Sequence, residues 1–513
     1  MSRKVTDKAV DDRPARHAKT IIIGSGFAGL GLAIRLSKQG RNDYLVLERG
    51  SDVGGTWRDN TYPGAACDVP SHLYSYSFAL NPNWSRSFSK QGEIQRYIQG
   101  VAREHNVLDK HLFNCDVTAA RWNSATNRWH IESTQGSFTA DTVVSAVGAL
   151  CEPALPDIKG INGFEGDICH SARWNHDADL TGKRVAIIGT GASAIQIVPS
   201  IAPQVAQLDV YQRTAPWLLP RMDRPYTLPE RFAFRRVPGF QRLSRAAIYA
   251  ARETQVVGLA KVPALMQAFE LIAKAKLQWE IRDPELRKKV TPNFRIGCKR
   301  MLISNDYYPA LSRPNVDVVT DGIAEVRPNS IVTEDGTERE IDALIVATGF
   351  HVTDSPTYNA ISGKDGRTLA EVFDEIGQQG YKGSAVANFP NMFFLLGPNV
   401  GLGHTSMVYM IESQINYIAD ALATVDRSSL RTVEVKRAVQ DAYNKDLQSK
   451  LVKSVWNTGG CASWYLDKHG NNTTLWPDFT FEFRRLTKKF DVSAYDTTTV
   501  DTSRNDDLKV VAQ

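Results

Sequence analysis

The chain is poor in cysteine, with six in 513 residues (Cys67, Cys115, Cys151, Cys169, Cys298 and Cys461). No two form a CxxC pair, so neither a zinc ribbon nor a sequence-local redox pair is written in it. Scattered thiols of this kind read as reduced, in a cytoplasmic protein, with no metal site. Net charge is also scarce: 61 Lys and Arg against 56 Asp and Glu leave +5. That excess is too mild to argue for nucleic acid, although it suits a small anionic ligand. No uninterrupted apolar run approaches the length of a membrane span. The richest helical-looking stretch, 256–279, is broken by Lys261, Lys274 and Lys276. No signal-peptide core precedes the first apolar stretch at Ile21. Low-complexity blocks are absent, and 42% hydrophobic with 23% charged residues is an ordinary globular balance. A disordered chain, a collagen-like repeat and a disulfide scaffold are thereby excluded. At about 150 residues per domain the length suggests roughly three domains.

What is present is a pair of β-α-β units. Residues 20–24 (TIIIG) read as a buried parallel strand. A helix over 29–39 follows, with Leu30, Ile34 and Leu36 on its apolar side and Gly40 as C-cap. Residues 44–48 (YLVLE) are the next strand. Between strand and helix lies Gly24-Ser25-Gly26-Phe27-Ala28-Gly29. In this motif Gly24 permits the tight turn, Gly26 lets the backbone approach a pyrophosphate, and Gly29 allows close helix–strand packing. Phosphates then face the helix N-terminus, and Glu48 stands where ribose hydroxyls would be bound. The second unit has a strand at 184–189 (RVAIIG), a helix from 192 to 200 and a strand at 208–212. Its motif is Gly189-Thr190-Gly191-Ala192-Ser193-Ala194, and its following strand ends in Gln212-Arg213 rather than an acid. An arginine there would bind a 2′-phosphate, pointing to NADP; the alternative is a solvated surface cation. Two such units imply two dinucleotides, a resident flavin and an exchanging nicotinamide.

Further strands are expected at 142–147, 343–347 and 393–396. Between 220 and 299 strand runs give way to helical spacing, notably at 241–252 and 265–282. Helices are also expected at 406–422 and 433–455, with a loose polar tail after Tyr495. The fold class is therefore α/β, with two Rossmann-like dinucleotide-binding domains and a helical insertion. The expected layout is a flexible leader at 1–18, an FAD domain at 19–155 and 336–500, an NADP domain at 156–220 and 291–335, the insertion at 221–290 and a flexible tail at 501–513.

The chain resembles the class B flavoprotein monooxygenases and, within them, the Baeyer–Villiger monooxygenases, over roughly residues 18–490. Three motifs carry the resemblance. They are Gly54-Gly55-Thr56-Trp57 with Tyr62-Pro63-Gly64 and Asp68; the signature Phe164-x-Gly166-xxx-His170-xxx-Trp174; and Ala347-Thr348-Gly349. The family often follows the signature tryptophan with Pro or Asp, where this chain has Asn175. The resemblance implies an NADPH- and O2-dependent enzyme. It would insert oxygen beside a ketone carbonyl through a C4a-peroxyflavin, giving an ester or lactone. The alternative is an N- or S-oxygenase; a pyridine nucleotide–disulfide reductase would need a cysteine pair close in sequence or space.

The resemblance also implies site residues. Arg300 and Asp68 would be catalytic, with Asp68 orienting the arginine at the flavin. FAD would be held by Gly24, Gly26, Gly29, Glu48, Thr56, Trp57, Arg58, Asp59, Asp68, Tyr74, Val117 and Met407. NADP would be held by Ala66, Cys67, Thr190, Gly191, Ala192, Ser193, Ala194, Ile195, Gln196, Arg213, Thr214, Lys299 and Arg300. Phe164, Gly166, His170 and Trp174 would couple the domains. Taken alone, Lys299-Arg300 is equally a solvated doublet, His170 a structural histidine, and Trp57 and Trp174 core.

Overall fold

The apolar run at the N-terminal end becomes the centre of a sheet because both of its faces are covered: Ile21 and Ile22 are fully buried. This is a computed structural model, and it describes residues 15–499. Strand Arg16–Ile23 pairs in parallel with Tyr44–Leu47 on one side and Gly136–Ser145 on the other. Met392–Phe394 also lies parallel to Gly136–Ser145. An antiparallel extension through Arg128–Ser133 and Val117–Asn123, with the short edge strands His111–Leu112 and Ile361–Ser362, widens the sheet to eight strands. Helix Phe27–Lys38 buries Leu30, Ile34 and Leu36 as its spacing requires, and the long helix Met407–Arg427 packs against it.

The second sheet is wholly parallel, in the order Val316–Val319, Gln207–Tyr211, Arg184–Ile188, Ala343–Val346, Asp167–His170. Its strands are near-continuous apolar runs, as expected where helices cover both faces. Helix Ala194–Ile201 covers one of them, burying Ile197, Val198 and Ile201.

Several expected boundaries move. Residues 16–18, placed in the leader, are strand, because Gly136–Ser145 is ten residues long and offers a partner as far back as Arg16↔Phe138. Residues 1–14 of that leader, and the tail at 501–513, lie outside the described residues. The polar stretch after Tyr495 is not loose: Tyr495–Thr499 pairs antiparallel with Leu430–Val435. That pairing also removes the start of the helix expected at 433–455. The alternating RTVEV segment is strand, and the helix runs Arg437–Leu451. Ala343–Val346 is hydrogen-bonded on both sides within the second sheet, so the boundary drawn at 336 falls too early.

The insertion is helical, with Leu228–Arg236, Phe240–Glu253, Met266–Glu280 and Pro284–Lys289. Leu277, Ile281 and Val290 belong to the core of the second sheet. Val256, Leu259 and Met266 pack with Cys298, Val455 and Trp456 in a separate core beneath the C-terminal segment. The insertion thus bridges both halves and brings the end of Phe240–Glu253 to the space between them. Among the described residues no single helix is long and apolar enough to cross a membrane.

Candidate active site between two dinucleotide loops

The first glycine loop has the shape its motif requires. Gly24 sits at φ +99°, and a Cβ on Gly29 would stand 1.9 Å from the Gly24 carbonyl oxygen. Gly26 has no heavy atom nearer its Cβ position than Gly55 Cα at 3.7 Å, so the backbone there is open to a phosphate. Glu48 follows its strand directly and is buried. Its Oε2 accepts the Ser25 N–H and its Oε1 accepts from Arg58 Nη1, each at 2.7 Å. Arg58 in turn holds Asp59 at 2.8 Å. Trp57 Nε1 donates to Tyr74 Oη at 3.0 Å, and the Tyr74 ring meets Phe27 at the helix start. Thr56 is exposed beside them. Val117 lies two residues beyond Cys115, whose N–H donates to the Glu48 carbonyl. Met407 is partly buried at the first position of its helix. Glu48, Trp57, Arg58, Asp59 and Tyr74 lie around the first loop, whereas Val117 packs on another core of the first sheet and Met407 on the core beneath the C-terminal segment; the open backbone at Gly26 fits a flavin dinucleotide.

The second loop repeats the geometry. Gly189 sits at φ +113°, and a Cβ at Gly191 would meet nothing within 4 Å. Gly191 and Ala192 are exposed. Thr190 Oγ1 donates to the Thr214 carbonyl at 2.9 Å, closing the loop on the segment that carries Arg213 just after strand Gln207–Tyr211. Lys299 lies over the Phe294 ring at 5.2 Å. Burial, then the neighbouring Arg213 charge, lowers the proton affinity of its amine. Two like charges held near each other ask for an anion between them, and a 2′-phosphate fits. The side chains of Ala194 and Ile195, assigned to the same ligand, are buried in the second core, so what these two residues offer a ligand is backbone. Gln196 is also engaged: it donates to the Ala66 carbonyl at 3.0 Å and accepts the Ala66 N–H at 3.2 Å. It ties the two domains together, and Gly64 sits so close that a Cβ would meet the Gln196 carbonyl oxygen at 2.5 Å.

Between the loops, Arg300 reaches Asp68 across 232 residues of chain. Nε and Nη2 both meet Asp68 Oδ2, at 2.8 and 2.7 Å. This leaves Nη1 without an acceptor among the described residues. The Asp68 charge outweighs burial and holds the guanidinium firmly protonated. Burial pushes the Asp68 carboxyl up, but Arg300 overcomes it and the net shift is downward. The pair is therefore a fixed cation with a fixed anion behind it. It opens on a pocket lined also by Arg252, Met301, His404 and Thr405. Buried Cys67 keeps its thiol, its proton affinity raised by burial, and its carbonyl accepts from Arg221 at 3.1 Å.

The signature residues lie along one strand and its flanks. Strand Asp167–His170 is the edge of the second sheet. His170 Nε2 bonds the Gly349 carbonyl oxygen at 3.0 Å, and Nδ1 accepts the Ala172 N–H at 3.1 Å. The ring is thus neutral with its proton on Nε2, and burial lowers its affinity for a second one. Phe164 is buried. Gly166 is required because a Cβ would stand 2.4 Å from the Asp342 carbonyl oxygen. Trp174 packs at the margin of the second core. Of the four, His170 bonds the crossover, whereas Phe164, Gly166 and Trp174 pack within the layers of the second sheet.

Sequence reasoning missed Arg252, His404 and Thr405; a lone histidine in a GLGHTS run carries no signal until the fold brings it beside Arg300. It also read every cysteine as reduced, whereas Cys298 and Cys461 are joined by a disulfide. A separation of 163 residues gave no warning of it. The bond ties the residue before Lys299-Arg300 to the loop carrying Tyr465. Among the described residues no group of His, Cys, Asp or Glu could hold a metal ion.

Two dinucleotide cradles around an Arg–Asp pair define a flavin- and nicotinamide-dependent oxidoreductase. A family model described as pyridine nucleotide-disulphide oxidoreductase matches residues 21–231. A Baeyer–Villiger monooxygenase of Pseudomonas aeruginosa is 50% identical over 487 residues, covering 94% of this chain and 92% of that one. A cyclohexanone monooxygenase from Rhodococcus sp. Phi1, bound to NADP+, superposes with a TM-score of 0.84 at 26% identity, covering 95% of this chain and 100% of that one. OTEMO in complex with FAD and NADP gives a TM-score of 0.84 at 25% identity, over 94% and 99%. The chain belongs to the Baeyer–Villiger monooxygenase family.

Proposed function

We propose that this protein uses NADPH and O2 to insert one oxygen atom beside the carbonyl of a ketone, giving an ester or lactone. It is an FAD- and NADP(H)-dependent flavin monooxygenase of the Baeyer–Villiger type. The observation that carries the reading is the Arg300–Asp68 pair on the pocket between two open dinucleotide loops. The flavin supplies the hydride acceptor and the oxygen chemistry when bound. The chain supplies position and charge. Gly24, Gly26 and Gly29 shape the first cradle, and Glu48 stands at the ribose end. Gly191 opens the second cradle, and Arg213 with Lys299 takes the 2′-phosphate. Arg300 presents a permanent cation to oxygen anions that develop at the reacting carbonyl, and Asp68 fixes its plane. Gln196 and His170 hold the two cradles in register.

The test is a product screen with linear, cyclic and polycyclic ketones under 18O2. Esters or lactones carrying one 18O, formed with NADPH consumption, are expected. NADPH oxidation that yields only hydrogen peroxide with every ketone, or oxygen placed only on amines and sulfides, overturns the reading. The Cys298–Cys461 bond favours a second reading, NADPH-driven disulfide reduction. Anaerobic NADPH titration followed by thiol counting decides it, because two new thiols per chain appear only in that case.

A further inference from the structure

Glu253 ends helix Phe240–Glu253 and is buried. It behaves as a carboxylate that accepts at every contact: its Oε2 accepts the Thr480 N–H at 2.8 Å, and its Oε1 accepts from Thr480 Oγ1 at 2.8 Å and from His404 Nε2 at 3.2 Å. The His404 side chain is fully buried, at 0% exposure. An acceptor at Nε2 places the ring proton there and leaves Nδ1 as a lone pair. That Nδ1 is buried without a partner, and so is the hydroxyl of the adjacent Thr405. Both residues line the pocket that Arg300 and Asp68 share. Two neighbouring buried polar atoms lacking partners at a ligand pocket mark a place where something else completes them.

The chemistry of the site asks for such a group. Ketone, O2, NADPH and one proton give ester, NADP+ and water. NADPH is oxidised and O2 is reduced; the O–O bond and one C–C bond break, and two C–O bonds form. The hydride's hydrogen and the solvent proton leave with the second oxygen as water. Arg300 keeps its proton and Asp68 stays charged, and burial pushes the Tyr465 hydroxyl up to about 12. Imidazole is the side-chain type that changes charge near neutrality.

We propose that His404 is a catalytic residue that takes this proton from water at Nδ1 and delivers it to the departing oxygen, with Glu253 as its positioning residue. The inference rests on the monooxygenase reading above. The ring's charged and titratable neighbours are Glu253 and Arg252 from the insertion helix, and Asp68 and Arg300 across the pocket. Behind Glu253, Tyr249 shares Thr480 with it, and Asp478, two residues before Thr480, is paired with Lys261 at 2.8 Å.

His404→Gln keeps a donor for Glu253 and removes the proton-accepting nitrogen. With the ketone best converted in the product screen, kcat should fall at least ~100-fold at little change in KM, the lower end for a general acid. FAD content, melting temperature and anaerobic flavin reduction by NADPH should stay near those of the parent. Glu253→Gln replaces the acceptor that fixes Nε2–H with an amide that can also donate, so the His404 ring should lose its single tautomer in 15N-histidine NMR. Independently of turnover, 15N-histidine NMR of the unaltered protein should show, besides the ring of His170, a neutral ring with Nε2 protonated and Nδ1 bare that is missing from the His404→Gln spectrum. A kcat within threefold of the parent for His404→Gln, an unchanged His404 tautomer signal in Glu253→Gln, or a proton on Nδ1 of the neutral ring overturns the proposal alone. Failure of the unaltered enzyme to oxygenate any ketone overturns the reading beneath it as well.

Discussion

Replacing Arg300 tests the core of the mechanism, because the structure separates what the residue does for folding from what it does for chemistry. The pair with Asp68 leaves 34% of the arginine side chain and 27% of the aspartate exposed. At that exposure solvent screening holds its net worth to about 0–1 kcal/mol. Arg300→Ala should therefore fold, bind FAD and melt close to the parent. The chemical cost is larger. Losing one preorganised donor at a developing oxyanion typically costs about 10²–10³ in kcat, or roughly 2.7–4 kcal/mol. Ester formation should fall by at least that much, while flavin reduction by NADPH survives, since hydride transfer needs no charge at the oxygen. Arg300→Lys should be nearly as inactive. Asp68 Oδ2 is gripped by two nitrogens of one planar group, and a single ammonium cannot grip it and still turn a donor to the pocket. The pH dependence follows from the aspartate. Its proton affinity is lowered in the folded protein, so the pair is intact above the ordinary carboxylate value of about 3.9. The stability it contributes is lost only as pH falls through the lower folded value. No acid limb from Asp68 should therefore appear in kcat/KM between pH 5 and 8. Rapid-mixing spectroscopy resolves reduction and oxygenation. A ketone conversion rate within threefold of the parent for Arg300→Ala would refute the role given to this residue.

Three other outcomes are expected. Arg213→Ala should weaken NADPH about ten- to a hundredfold, the ~1.5–3 kcal/mol of one charge-assisted contact, and leave NADH unchanged in steady-state assays; equal losses would show that Arg213 does not meet the phosphate. Gly29→Ala should yield colourless, destabilised protein, because the new Cβ would stand 1.9 Å from the Gly24 carbonyl oxygen, which is backbone and cannot step aside; a yellow protein of normal melting temperature would count against the loop geometry. Cys298→Ser, or dithiothreitol treatment of the parent, should lower unfolding free energy in urea by about 2–4 kcal/mol, since the bond closes a long loop; an unchanged midpoint would mean that the two sulfurs are not joined in solution.

The amino-acid sequence by itself determined the two β-α-β units, their glycine loops and the change of character at the insertion. Each of these is a local requirement. Buried parallel strands read as apolar runs, and Gly24 and Gly189 are demanded by a positive φ within their own turns. Arg213 was picked out on the same local ground, as a residue just past the strand after the second loop. The Arg300–Asp68 pair was legible only through a family resemblance, because nothing local joins positions 232 apart. The tertiary structure decided the rest. Leu430–Val435 is a strand only because Tyr495–Thr499 pairs with it, and Ala343–Val346 falls in the second sheet because two neighbours bond it there. The Cys298–Cys461 bond and the Glu253–His404 contact likewise arise where the insertion, the Arg300 segment and the C-terminal loops share one core. Side chains that meet only through long-range packing leave no periodicity or spacing behind, so their chemistry appears once the chain is folded.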